Sequence, residues 1–252
     1  RPEDWQAVLD LGEGIFVVDE IGRAVASAMW FPMGQDLALI GMVITAPRMQ
    51  EYGTGRWLME QILNRTGDRD LILSATHAAY RLYGSLGLQP GPVIFQHNGF
   101  VTAPPPTPQD SEVRALRPED EAAVRALDAA AFTATRTKAL DHLLAVGQGT
   151  VLLHQGRIAG FAFCRRFGRG HVIGPVVAGT EADAVALISP HIRAHAGEFM
   201  RMDTREPEGP LRDHLTACGM KLHDTATSMS RGAARFRADA PRVFGLFSQA
   251  VG

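Results

Sequence analysis

Apolar and polar positions along this chain change period in a regular order. From Gly14, the run IFVVDEIGRAVASAMW reads as a strand, a glycine turn at Gly22 and a second strand, which together make a hairpin. Ala38 to Ile62, ALIGMVITAPRMQEYGTGRWLMEQI, reads as a buried apolar strand, a tight glycine loop and an amphipathic helix. A further strand, Leu71-ILSAT, precedes a helix from Ala79 that ends at a C-cap glycine, Gly87, and runs into another strand.

The same order returns in the second half. Gly149-TVLLHQGRIAGFAFCR mirrors the hairpin, Ile173-GPVVAG mirrors Ile40-GMVITA, and Pro210-LRDHLTACGMK mirrors Ala79-YRLYGSLGLQ. The offsets Gly14→Gly149, Gly22→Gly156, Gly41→Gly174 and Gly87→Gly219 are 135, 134, 133 and 132 residues, steady enough to indicate an internal duplication. Between the halves, VTAPPPTPQDS holds four prolines, which exclude a helix interior or a central strand. The pattern therefore predicts an N-terminal domain over 1–103, a linker over 104–111, a C-terminal domain over 112–232 and a docking tail over 233–252. The second half reads β(αα)ββ-β-α-β-α-β, an α+β domain with a mixed, mostly antiparallel twisted sheet flanked by helices. Its opening strand and helix, Val113-RALRPEDEAAVRALDAAAF, have no counterpart before Arg1-PEDWQAVLDLG. The first domain is thus expected to lack its first strand and helix.

Composition narrows the function classes. With 252 residues the chain can bury two cores, and 46% hydrophobic with 21% charged residues is ordinary for a globular protein. A net charge of −2 without a basic stripe predicts no affinity for nucleic acid or an anionic membrane. No apolar run approaches the roughly 18 residues of a membrane span, and no signal peptide is visible. Cys164 and Cys218 lie among apolar neighbours and read as buried free thiols, which fits the cytoplasm.

The glycine loop carries the chemistry. Gln50, Gly53 and Gly55 fit the spacing [Q/R]-x-x-G-x-[G/A] immediately before a helix. Glycines there let the backbone approach a ligand, and the amides of about Gln50 to Arg56 at the positive helix end suit a diphosphate. An N-cap loop without a ligand is the alternative. A dinucleotide site is disfavoured, because the first glycine of that fingerprint is missing.

The strand IGMVIT, the loop QEYGTG and Tyr83-GSLGL together resemble the GCN5-related N-acetyltransferase (GNAT) superfamily, with Leu88 where the family has Phe. The likeness covers Gly14 to about Phe100. The second half resembles the C-terminal domain of tandem acetyltransferases of that superfamily.

The resemblance implies acetyl-CoA as co-substrate and acetyl transfer to the amine of a small molecule, or to a lysine or N-terminal amine, by direct attack. A non-catalytic acyl-CoA sensor or scaffold is the alternative. Cofactor contacts are implied for Met42, Val43, Ile44, Gln50, Glu51, Tyr52, Gly53, Thr54, Gly55 and Arg56. A bulge at Gly41–Val43 would part the strand from Leu71-ILSAT, leaving a gap for the pantetheine arm. The amide of Met42 or Val43 would face the thioester oxygen. By motif position Tyr83 is the general acid. No base stands out: His77, Asp36 and Asp203 are candidates, and Arg136 is a candidate for holding an acidic group of the acceptor. His191 and His195 share a helix face that reads as solvated, with no third ligand apparent, so no metal is expected. In the second half Gly179-TEADAV replaces the glycine loop, and Glu181 and Asp183 would repel a diphosphate. That half is read as having lost cofactor binding. The oligomeric state stays open.

Overall fold

The computed structural model describes residues 1–50, 52–102, 104, 112–132, 134–233 and 241–252. Apart from Pro104, the expected linker lies outside the described residues. The chain forms two compact units.

The N-terminal unit comprises residues 2–91, 227–233 and 249–252. Helix α1 (Pro2–Leu11) leads into strands β1 (Glu13–Val18), β2 (Ala24–Met33) and β3 (Leu37–Thr45). Helix α2 (Thr54–Thr66), strand β4 (Asp70–Ala75) and helix α3 (Tyr80–Ser85) follow. β1, β2 and β3 pair antiparallel, and β4 runs parallel to β3. The β1–β2 turn closes because Gly22 has φ 80 and the Asp19 carboxylate accepts from the amides of Ile21 and Arg23. One face of α2 buries Leu58, Met59 and Ile62 completely among Ala38, Ile40, Leu71 and Leu73 of the sheet. α2 stops at Gly67, whose φ of 60 only glycine adopts readily.

The C-terminal unit comprises residues 1, 92–226 and 241–248 among those described. It contains β5 (Gln89–Phe100, from Pro92 onward), β6 (Glu112–Ala115), α4 (Glu121–Phe132), α5 (Thr137–Val146), β7 (Gln148–His154) and β8 (Arg157–Phe167). Then come β9 (Gly170–Ala178), α6 (Glu181–Ala194), β10 (Phe199–Thr204), α7 (Pro210–Ala217), β11 (Lys221–Arg231, to Ala226) and β12 (Arg242–Gly245). The strand order is β5-β10-β9-β8-β7-β6, with β9 and β10 parallel and the other neighbours antiparallel. β9 is buried along its whole length, with α6 packed over it through Ala184, Leu187, Ile188 and Ile192.

The unit boundaries depart from those expected from sequence. β11 does not end in the C-terminal unit: its residues Thr227–Arg231 pair antiparallel with Ala75–Leu71 of β4. β5 belongs to the C-terminal unit from Pro92, and its residues Phe95–Phe100 pair with β10. The physical reason is that an exposed strand edge takes whichever backbone reaches it, since buried N–H and C=O groups require partners. The tail divides as well. β12 pairs with β9 in the C-terminal unit, and only residues 249–252 belong to the N-terminal unit. Among the described residues no helix is long and apolar enough to cross a membrane.

Candidate active site

In the N-terminal unit β3 and β4 stay in register from Leu37/Asp70 to Ile40/Leu73 and then part. On the other side of β3, Met29 faces Gly41 while Ser27 faces Ile44. Met42 and Val43 therefore both face Ala28, with no partner in register on either neighbouring strand. This is a bulge. Met42 takes φ 54, a left-handed conformation that costs a non-glycine residue about 1 kcal/mol or more. Ser27 Oγ secures it by donating to the Met42 carbonyl at 3.0 Å.

The glycine loop follows the strand directly. A single turn at Pro47–Met49 is closed by the Met49 amide on Ala46 O at 2.8 Å and the Gln50 amide on Pro47 O at 3.2 Å. The Gln50 side chain donates to Thr45 O at 3.3 Å. Gly53 is the N-cap of α2 with φ 77, and no side chain caps the helix. Among the described residues, no hydrogen bond reaches the amides of Tyr52, Gly53, Thr54, Gly55 and Arg56. Nothing stands within 4 Å of a Cβ built on Gly53, and the Tyr52 side chain is 80% exposed. Arg56 Nη2 donates to Ser85 Oγ at 2.7 Å, tying α2 to α3. Glu51 lies outside the described residues. The arrangement is a row of donors, unused among the described residues, at the positive end of a 13-residue helix.

Tyr83, on α3, is buried, and burial pushes its phenol up to about 12. It stays protonated at neutral pH and can donate a hydrogen bond.

The gap between β3 and β4 receives the end of the tail, for which the sequence predicts docking but not this place. Ser74 Oγ donates to the carbonyl of Gln249 at 2.8 Å. A Cβ on Gly41 would stand 2.6 Å from Ala250 Cβ and 2.9 Å from Ala250 Cα, so only glycine fits there. Gly41 and Ser74 are the first residues past the last paired ones. The tail thus fills the apex of the wedge, and Val251 is buried with it. The only sequence signal was the apolar run VFGLF nearby.

Several expected site residues stand elsewhere. Asp36 is exposed at the opposite end of β3, where its carbonyl accepts from Asp70 N at 2.8 Å. Six residue steps along the strand separate it from Met42, about 20 Å. His77 is exposed in the turn after β4. Arg136 opens onto no cleft: it is 2% exposed, gives Asp128 two hydrogen bonds of 3.1 and 2.5 Å, and lies over the Phe132 ring. Asp203 is 1% exposed and is held by Arg201 through Nε at 3.0 Å and Nη2 at 2.6 Å. Both belong to the C-terminal unit, where burial of a charge demands its partner. His191 is not on a solvated face: it is buried beside Thr150 Oγ1 at 3.1 Å, and burial pushes it down to about 4. Cys164 and Cys218 are buried free thiols, pushed up by burial to about 12 and about 11.

The C-terminal unit repeats the bulge but closes the groove. Ala162 faces Val176 and Cys164 faces Ile173, leaving Gly174 and Pro175 unpartnered. β10 pairs with residues 171–173 of β9, whereas β12 pairs with residues 176–178. The Leu246 amide donates to Asp203 O at 2.9 Å, and its carbonyl leaves no room for a Cβ on Gly174. The chain's own strand thus occupies the place beside the bulge. At the start of α6, Thr180 Oγ1 accepts from the Asp183 amide at 3.1 Å, and Glu181 and Asp183 put negative charge in the first turn.

Comparison with known proteins places both halves in one group. A sequence model described as Acetyltransferase (GNAT) family matches residues 1–88, and one described as Acetyltransferase (GNAT) domain matches residues 124–245. The uncharacterized N-acetyltransferase YitH of Bacillus subtilis (strain 168) is 24% identical over 223 residues, 86% of this chain and 77% of its own length. A putative acetyltransferase from Pyrococcus horikoshii has a similar structure, with TM-score 0.80 and 16% identity over 99% of this chain and 84% of that one. A tandem GNAT protein from the clavulanic acid biosynthesis pathway has TM-score 0.60 and 14% identity, covering 88% of this chain and 84% of that one.

Proposed function

Because the chain belongs to the GCN5-related N-acetyltransferase superfamily, with two such domains in tandem, we propose that its N-terminal domain binds acetyl-CoA and transfers the acetyl group to an amine. One observation carries the reading: the unpartnered Met42–Val43 bulge is followed by a helix start whose amides, among the described residues, have no bonds of their own. A diphosphate fits those amides from Tyr52 to Arg56, and a pantetheine arm fits alongside Met42, Val43 and Ile44 in the parted strands. Acetyl-CoA supplies an acyl group activated as a thioester. The Met42 or Val43 amide donates to the thioester oxygen as negative charge builds there. Tyr83 donates a hydrogen bond to the sulfur as the C–S bond breaks. A phenol near 12 is a weaker acid than an ordinary thiol, so stabilising the thiolate is its role rather than complete proton transfer.

The amine reacts in its neutral form, and its surplus proton goes to water. Neither Asp36, Arg136 nor Asp203 takes part. His77 is the exposed candidate that remains for relaying that proton. The occupied apex beside Gly41 and Ser74 limits the acyl pocket to a short group, which favours acetyl over longer chains.

The test is calorimetry with acetyl-CoA together with thiol release against a panel of amines. We expect saturable binding and amine-dependent release. Gly53→Val, which forces a branched residue to φ 77, should weaken binding at least about tenfold. Gly53→Asn, tolerant of that φ, should retain most of it. Absence of binding to the intact chain, or binding without release for any amine, overturns the reading.

A further inference from the structure

Three side chains of the C-terminal unit that the machinery described above does not use converge on one another. His171 lies on β9, His195 ends α6 as its C-cap, and Glu198 lies three residues further on. The two imidazoles stack with centroids 3.8 Å apart and planes 26° from parallel. Glu198 Oε2 stands 2.9 Å from His171 Nδ1 and 3.4 Å from His195 Nδ1, and one ligand atom from each residue lies within 4.8 Å of the other two. His171 Nδ1 is buried without a hydrogen bond: at 2.9 Å the carboxylate is near, but off the ring's N–H direction. A buried imidazole nitrogen that does not bond the oxygen beside it is accounted for by a centre lying off the line between them.

The backbone holds this arrangement in place. The Glu198 amide donates to His195 O at 2.9 Å, so one turn carries two of the groups. That turn is clamped by the Val101 amide on Glu198 O at 2.9 Å and the Gly197 amide on Val101 O at 2.7 Å. The third group comes from a fully buried strand. Glu198 is 49% exposed by side chain and opens the cluster to solvent.

We propose that His171, His195 and Glu198 form a binding site for a divalent transition-metal ion of the zinc type, ligated through two Nδ1 atoms and one carboxylate oxygen, with a fourth position left for water. Bonds of about 2.0–2.1 Å in a tetrahedron put neighbouring ligand atoms about 3.3 Å apart, close to the 2.9 and 3.4 Å separations here. Two imidazoles with a single carboxylate suit Zn²⁺, Co²⁺ or Ni²⁺, whereas Mg²⁺ and Ca²⁺ need an oxygen shell. Arg166, opposite His171 in the β8–β9 register, is the charge that works against a cation. The acetyl-transfer reading does not depend on this site.

Tag-free protein, freed of metal with a chelator, is titrated with ZnCl₂ by calorimetry and with CoCl₂ by visible absorption. We expect one saturable site per chain, a tetrahedral Co²⁺ spectrum displaced by Zn²⁺, and a thermal midpoint that rises with Zn²⁺. Glu198→Gln and His195→Ala alter partly exposed groups and leave the fold intact by circular dichroism. Each should weaken Zn²⁺ at least about tenfold, since even outer partners of a metal site are worth that much. Binding that is absent, or unchanged in both variants because other histidines carry it, overturns the proposal.

Discussion

Met42 and Tyr83 are shaped by opposite physical demands. Met42 holds a left-handed backbone that its neighbours enforce through the Ser27 hydroxyl, while its strand partners pass it by. Tyr83 is governed by burial, which stabilises the neutral phenol and raises its pKa from 10.0 to about 12. The folded chain therefore holds that proton more tightly than the unfolded chain. Its contribution to stability is whole below about pH 10 and is lost as pH rises toward about 12. Tyr83→Phe should lower kcat roughly a hundredfold with KM for acetyl-CoA nearly unchanged, the range for loss of one hydrogen-bond donor to developing charge. Steady-state kinetics check this. The wild-type rate should show no loss from Tyr83 ionising between about pH 7 and 10. A variant that is fully active removes Tyr83 from the chemistry.

Among the elements, α2 and α6 occupy equivalent places in the repeat yet differ at their first turns. α2 begins with glycine and, among the described residues, leaves its first amides unused, whereas α6 begins with a threonine cap and two acids. The tail reinforces the difference. Beside β9 it forms β12, and Leu246 is bonded to Asp203; at the apex of the β3–β4 wedge it lies against Gly41 and Ser74. Removing residues 249–252 should lengthen the acyl pocket. Turnover with a four-carbon acyl-CoA relative to acetyl-CoA should rise roughly tenfold, the scale on which a hydrophobic pocket discriminates one or two methylenes. Competition between the two thioesters measures this ratio. An unchanged ratio would show that Ala250 does not bound the pocket.

At the scale of the whole molecule, duplication has produced two domains of one family with unequal sites. Only the N-terminal unit combines parted strands with a donor-rich helix start among the described residues. Acetyl-CoA should therefore bind with one equivalent per chain, read from the calorimetric stoichiometry. Two equivalents would contradict the closed groove beside Gly174.

The bulge at Gly41–Val43 was implied by the family resemblance, whereas local pattern was enough for the hairpins, the helices and the glycine loop. Each depends on a few adjacent residues whose periodicity or φ preference is visible in the sequence: Gly22 in its turn, Gly53 at its cap, the apolar face of α2. The membership of β11's last residues, the wedge-filling tail, the burial of Arg136 and Asp203, and the meeting of His171 with His195 were decided by tertiary structure. These are encounters between distant parts of the chain, 175 residues apart for Ser74 and Gln249. Which distant backbone satisfies an open strand edge, and which charge follows its partner into a core, depends on the packing of all the elements together. A sequence states its local preferences residue by residue, whereas partners of this kind are chosen only once the sheet has assembled.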